Sequence, residues 1–489
     1  MRKLEQLDLD NTFARLPKTF YSRINPTPLA RPYLVSFNAN AAELIDLSAQ
    51  EAMREEFANY FVGNHILPGS EPLAMLYAGH QFGHFVPQLG DGRAILLGET
   101  RNTKGECWDI QLKGSGPTPY SRSGDGRAVL RSSIREYLCS EAMHGLGIPT
   151  TRALCIVGSD DEVYRETVES AAVVTRIAES FVRFGSFEVF YHRGQPEQVR
   201  ELADYVIARH FSHLLNDTDK YARFLNEVIE RTACLMAQWQ SVGFSHGVMN
   251  TDNMSILGLT FDYGPFGFME TYNPGYICNH SDHAGRYAYD QQPQIGLWNL
   301  AALAQTLMPL VPVAEAEKIL DSYGDIFSER YVELMCGKLG LTYSGLQDFS
   351  VIEPLLEMMH ASQLDYTNLF RSLSQFKSAA NETNSVLRDQ FFDREAFDQW
   401  AEKYRVRLQA ETGTDEERKV AMDRINPKYI LRNYLAQAAI SKAGKERDYS
   451  EVDALLRLLA HPFDEQAEME SYAASAPEWA RHIEVSCSS

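Results

Sequence analysis

The sequence predicts an α+β fold in two parts, a β-rich lobe carrying one long helix and then a mainly helical lobe. Three observations predict it. Within residues 73–190 glycine is frequent and short β-branched runs recur. A single long helical pattern interrupts those runs. From residue 191 onward the apolar runs take on the 3.6-residue period of amphipathic helices.

Residues 1–72 read as an N-terminal extension, with a Pro-rich lead that includes Pro26 and Pro28 and then one helical pattern, AAELIDLSAQEAMREEFANYFVGN. In 73–190, AILLGE, WDIQLKG, RALCIVG, EVYRE and AAVVTRIA read as strands. RSSIREYLCSEAMHGLG is the helix among them, closed by Gly145, Gly147 and Pro149. In 191–489, ELADYVIARHF, YARFLNEVIERTACLMAQWQ, GLWNLAALAQTL, YILRNYLAQAAI and VDALLRLLA carry helical apolar faces.

Composition narrows the function. A chain of 489 residues with 44% hydrophobic and 23% charged side chains has the makeup of a globular protein. Its formal net charge of −20 repels nucleic acid and anionic membrane surfaces, so neither is expected as a partner. A nucleotide would have to be held by a local basic site or a metal. The first residues, MRKLEQLDLDNTFARLP, resemble no secretory signal, and no apolar run reaches membrane-spanning length. The seven cysteines include no C-x-x-C pair, which argues against a zinc site and fits a reducing compartment, so the expected location is the cytoplasm.

The stretch HGVMNTDNMSILGLTFDYG, residues 246–264, has the spacing of a phosphate-transfer loop. In H-R-D-L-x-x-x-N the Asp takes the substrate proton and the Asn holds Mg²⁺. Here Asn253 falls in the Asn place, seven residues after His246, while Val248 stands where the Asp should be. Asp262, in FDYG, takes the place of the metal-holding Asp of D-F-G, and MSILGL between Asn253 and Asp262 reads as a hairpin. An Asn and an Asp a short loop apart suffice for Mg²⁺, which keeps phosphate oxygens and water for its other ligands. Asp252 is the one carboxylate left before the metal pair to accept a proton; a turn Asp capping local backbone is the alternative.

Alternation in WDIQLKG places Trp108, Ile110 and Leu112 on one face and Asp109, Gln111 and Lys113 on the other, so Lys113 is expected to point away from the core. It would neutralise a phosphate as a point charge, or simply be a surface lysine. Glu136 on the following helix is the candidate ion-pair partner of Lys113, although Ser133-x-x-Glu136 also spells a capping box. Arg176 and Arg183 lie in the apolar VVTRIAESFVRFGSF, where a guanidinium needs an anion: a phosphate, or Glu179 or Glu188. The self-match of GDGRAIL at 90–96 and GDGRAVL at 124–130 gives two turns whose backbone amides could approach phosphate, or two ordinary tight turns. Lys113, Asn253 and Asp262 occur in kinase order. The expected architecture is therefore a protein-kinase-like bilobal fold, with a β-rich N-lobe containing one αC-like helix, a mainly helical C-lobe and helical extensions.

Together QLGDGRAILLGE, WDIQLKGSGPTPYSRSGDGRAVLRSSIREYL, TRIAESFVRFGSFE and HGVMNTDNMSILGLTFDYGPFGFME resemble the selenoprotein O family, over residues 73–487. The resemblance implies a bacterial protein adenylyltransferase with a pseudokinase fold. It would bind ATP in a flipped orientation with Mg²⁺, or Mn²⁺ in its place, and transfer AMP to Ser, Thr or Tyr hydroxyls of proteins, itself included, releasing pyrophosphate. It further implies nucleotide contacts from Gly90, Gly92, Arg93, Lys113, Asp125, Gly126, Arg176, Arg183 and Asp262, metal binding by Asn253 and Asp262, and Asp252 as proton acceptor. Selenocysteine stands third from the C-terminus in eukaryotic members, where this chain has Cys487; Cys278 is a candidate redox partner, and two unpaired thiols are the alternative. Two other readings stay open on the residues alone: a catalytically silent ATP-binding pseudokinase scaffold, which Val248 favours, and a phosphotransferase using Asp252 as base.

Overall fold

The structure, a computed structural model, describes residues 1–486. It is α+β. The strands in chain order are β1 (Tyr21–Arg23), β2 (Tyr33–Phe37), β3 (Leu73–Met75), β4 (Gly79–Gln81), β5 (His84–Val86), β6 (Ala94–Arg101), β7 (Cys107–Lys113), β8 (Ala128–Val129), β9 (Arg152–Tyr164), β10 (Val168–Ala178), β11 (Phe244–Ser245) and β12 (Gly267–Phe268). An antiparallel eight-stranded sheet runs β1-β3-β6-β7-β10-β9-β2, with β8 attached to β10. β4–β5 and β11–β12 form two separate two-stranded ribbons.

Both faces of the large sheet are covered. Leu96, Ala153, Ile156, Ala172 and Val174 pack with Ile134, Tyr137 and Leu138 of the long helix, whereas Ile95, Ile110, Leu112, Val157, Val173 and Ile177 pack with Leu4, Leu7, Phe57 and Phe61 of the first 72 residues. Central β10 is accordingly a β-branched run buried on both sides from Ala171 to Ala178. This corrects one expectation: Lys113 does not point away from the core but is buried. The apolar side of WDIQLKG meets the N-terminal extension, and its polar side turns in toward the long helix instead of toward water.

Seven helices matter for the site and its support: α1 (Ala39–Glu43), α2 (Glu55–Phe61), α3 (Leu130–Gly145), α4 (Phe184–His192), α5 (Pro196–His210), α6 (Lys220–Ser241) and α7 (Gln292–Thr306). The expected single helix over 41–64 is broken into α1, a 3-10 turn over Ala49–Met53 and α2. Asp46 adopts a left-handed φ of 55°, and the Ser48 side chain caps the amide of Gln50. RALCIVG and EVYRE join in one strand, β9. Gly158 marks no turn there; it gives room to the Tyr33 ring, whose Cε2 would lie 2.6 Å from an added Cβ. Further helices continue to Leu459, and those over Tyr323–Lys338, Phe349–Ala361 and Arg394–Leu408 enclose a second core around Met335, Leu355, Trp400 and Tyr404. Among the described residues no helix is long and apolar enough to cross a membrane.

Candidate functional site

A cavity of about 390 Å³, a volume suited to a nucleotide-sized ligand, opens between the large sheet and the 246–264 loop. Gly90, Gly92, Arg93, Lys113, Asp125, Gly126, Arg176, Arg183, Asp252, Asn253 and Asp262 all line it, as does Val248. Residues from four separated stretches of sequence, 90–93, 113–126, 176–183 and 248–262, thus converge on one space.

The cations are set by strand register. Gln111 of β7 faces Arg176 of β10, and Lys113 faces Val174, so Lys113, Gln111 and Arg176 share the sheet face that α3 covers. Glu136 of α3 accepts a bond from Lys113 Nζ at 2.5 Å and pairs through its other oxygen with Arg176 Nε. The capping box is excluded, since α3 begins at Leu130 and Ser133 lies inside it. Neither arginine pairs with Glu179 or Glu188. Asp262 instead takes Arg176 at 2.6 Å and Arg183 at 2.7 Å, with Lys113 3.7 Å away. Burial alone would raise the Asp262 carboxyl, but Arg176, Arg183 and Lys113 hold it well below its ordinary range. Burial, reinforced by Arg176, brings Lys113 down to about 8. Three cations facing two carboxylates leave positive charge for an anionic ligand.

Arg183 is fixed from both sides. It is the residue before α4, its guanidinium lies 4.4 Å from the Tyr77 ring and 4.6 Å from the Phe261 ring, and it donates to the Asp252 carbonyl at 2.6 Å. The loop it touches is anchored by His246, which stacks on Trp239 and donates from Nε2 to the Phe261 carbonyl at 3.0 Å. MSILGL is not the expected hairpin: Ser255 bridges to Arg183 and Thr260 to Thr150, so the loop docks onto neighbouring segments instead of pairing with itself. Asp262 follows with a left-handed φ of 59°, a conformation uncommon for Asp and seen where surrounding contacts over-determine the backbone.

Asn253 donates its side-chain amide to the Val248 carbonyl at 2.9 Å, which leaves Oδ1 without a bond among the described residues. Asp252 accepts from Gln81 Nε2 at 3.2 Å through Oδ2, while its buried Oδ1 has no partner among the described residues. Burial raises the Asp252 carboxyl to about 7 against the pull of Arg183. The uncommitted Asn253 amide oxygen and the Asp262 carboxylate line the same cavity as an all-oxygen pair that fits a hard divalent cation, and the Asp252 oxygen beside them stays open to a proton.

The two Gly-Asp-Gly-Arg turns both reach the cavity but differ in detail. At Gly90 (φ 133°) a Cβ would lie 2.5 Å from the Tyr120 ring, and at Gly126 (φ 66°) 2.1 Å from the Gly116 carbonyl, so neither tolerates a side chain. Asp91 of the first turn is buried and accepts from the Met75 amide at 3.0 Å; burial pushes it up to about 6. Asp125 of the second is exposed and held by Arg165 at 2.8 Å. Reasoning from sequence missed Tyr77, Gln81 and Asp91. Asp91 lay within the repeated turn, whereas Tyr77 and Gln81 carried no signal. Cys278 is buried, donates to Ser245 and has its thiol pushed up to about 12 by burial; Cys487 lies outside the described residues.

A profile described as "Protein adenylyltransferase SelO" matches residues 3–460. The chain belongs to this family. It is 59% identical to the protein nucleotidyltransferase YdiU of Thiobacillus denitrificans and 55% identical to that of Myxococcus xanthus, over the whole of this chain and of each relative. The Thioalkalivibrio sulfidiphilus counterpart is 57% identical, again over both full lengths. This SelO-family chain is therefore a nucleotidyltransferase that uses ATP to adenylylate proteins.

Proposed function

We propose that the chain adopts the protein-kinase-like bilobal arrangement and transfers AMP to Ser, Thr or Tyr hydroxyls of protein substrates, its own included, with ATP bound in the flipped orientation. One observation carries this reading: the cation cluster of Lys113, Arg176 and Arg183 lies buried, while the partnerless oxygen of Asp252 belongs to the loop lining the same cavity. With the terminal phosphates against the arginines, the α-phosphorus faces Asp252. Asp252 then takes the hydroxyl proton as the hydroxyl oxygen bonds to the α-phosphorus, and the bond from that phosphorus to pyrophosphate breaks. Lys113, Arg176 and Arg183 stabilise the charge that builds on pyrophosphate. Glu136 holds Lys113 and Arg176 in place, and Gly90, Gly92, Arg93, Asp125 and Gly126 embrace the rest of the nucleotide. Asn253 and Asp262 would hold Mg²⁺, which supplies further charge neutralisation on the phosphates when bound. The free thiols of six cysteines among the described residues support a reducing, cytoplasmic setting.

The test uses ATP labelled at the α- or the γ-phosphate, incubated with Mg²⁺, the purified protein and a cell extract, beside Asp262→Ala. Label reaching protein from the α-phosphate only, and lost in Asp262→Ala, is expected. Label from the γ-phosphate only would overturn the reading in favour of phosphotransfer, and label from neither, with ATP still bound, in favour of a scaffold.

A further inference from the structure

Beside the nucleotide cavity, where β4 meets α4, His80, Glu188 and His192 each bring one ligating atom to within 4.8 Å of the others, the one such cluster among the described residues. Glu188 is fully buried. Its Oε2 meets His80 Nδ1 at 2.7 Å, and its Oε1, also buried, has no partner among the described residues. A buried carboxylate oxygen without a partner is costly, and the contact with His80 satisfies only one of the two oxygens. His192 is exposed at the mouth of the cluster, and Phe85 lies against both imidazoles, with ring centroids 5.1 Å from His80 and 4.1 Å from His192. Trp298 closes the other side of His80 at 5.2 Å. Two imidazoles and a desolvated carboxylate, walled by aromatic rings and exposed at His192, form a three-ligand set of the kind that leaves a fourth metal position to water.

We propose that His80, Glu188 and His192 bind a divalent transition-metal ion of the zinc class, at a site separate from the oxygen-lined nucleotide cavity. Imidazole nitrogen with one carboxylate suits Zn²⁺ or Co²⁺ and not Mg²⁺, which prefers oxygen and retains its water. The ion takes the place of the proton between His80 Nδ1 and Glu188 Oε2 and releases it to solvent. Occupancy ties β4 to α4. The backbone amide of His80 donates to Thr251 Oγ1 at 2.7 Å, Gln81 donates to Asp252, and α4 begins directly after Arg183, so the ion braces the two elements that hold the loop's position. The inference rests on these contacts and not on the adenylylation reading.

The experiment titrates Zn²⁺ by calorimetry into the metal-stripped full chain, without nucleotide and with excess Mg²⁺ to occupy oxygen sites. One equivalent of Zn²⁺ with proton release is expected for the wild type and for Asn253→Ala. Affinity should fall by about tenfold or more in His192→Ala and recover in His192→Cys, whose Co²⁺ complex should show thiolate charge-transfer absorption. His192 is exposed, so its replacement leaves the fold intact; Glu188→Gln provides a second, isosteric loss of ligand. Equal Zn²⁺ affinity in wild type and His192→Ala, or no stoichiometric binding by the wild type, would overturn the proposal and leave the cluster a proton-bridged pair.

Discussion

Lys338 is buried with its ammonium 4.6 Å from the Phe370 ring and 5.6 Å from Tyr366, and no carboxylate lies within ion-pairing distance among the described residues. Burial brings its pKa down to about 7 from an ordinary 10.5. In that interval the unfolded chain holds a proton that the folded chain gives up, so stability rises with pH from about 7 toward 10.5, and the penalty is fully present below 7. Lys338→Met should raise the urea midpoint at neutral pH and flatten its dependence on alkaline pH. Since one pKa unit corresponds to about 1.4 kcal/mol, a gain of at least about 1 kcal/mol is expected. At Asp252 the expectation concerns rate. Asp252→Asn keeps size and burial but removes the proton acceptor, so turnover should drop about 10²- to 10⁴-fold while fluorescent-ATP binding stays within a few-fold. Unchanged turnover would move the acceptor elsewhere.

At the scale of elements, two glycines let β4, α4 and the loop approach each other. A Cβ on Gly185 would come 2.2 Å from the Ala78 carbonyl oxygen, and one on Gly79 would come 2.7 Å from Asp252 Oδ1. The Gly185 carbonyl also accepts from the Ala78 amide at 3.0 Å, so the contact cannot widen without losing that bond. Gly185→Ala should therefore cost about 1–3 kcal/mol by overpacking and lower turnover along with thermal midpoint. A variant as stable and active as wild type would show that α4 slides freely. The same scale explains what was legible. AAVVTRIA, the α3 pattern and YARFLNEVIERTACLMAQWQ declare their elements, because periodicity and β-branching report burial directly. The inward turn of Lys113 was not legible: alternation gives two faces but not what covers each, and here the cover is a segment more than 40 residues earlier in the chain. The break in the 41–64 helix and the docking of MSILGL likewise involve partners distant in sequence: Leu47 bridges to Arg2, and Ser255 and Thr260 bridge to Arg183 and Thr150. Of the cavity, Lys113, Arg176 and Arg183 showed because buried charges need partners of stated kind, whereas Asp91 reads as an ordinary turn residue and Tyr77 and Gln81 as ordinary residue types whose importance comes from position alone.

Across the whole molecule, a formal charge of −20 surrounds a cavity whose depth holds Lys113, Arg176 and Arg183. The two fields have different reach. At about 0.01 M salt the screening length is about 30 Å, so an approaching nucleotide anion senses the net negative molecule; at about 0.15 M it is about 8 Å, and only the cavity's own cations are felt. Electrostatic steering therefore opposes ATP at low salt, and screening relieves the opposition. Once bound, phosphates among buried guanidinium groups are little screened, so dissociation should respond weakly to salt. The association rate constant of a fluorescent ATP analogue, followed by stopped flow without divalent metal, should rise severalfold between these two salt concentrations, and affinity should rise with it. A steep fall with salt would mean instead that the cation cluster projects its field well beyond the cavity mouth, and that the acidic exterior lies too far from the entrance to shape which anions arrive.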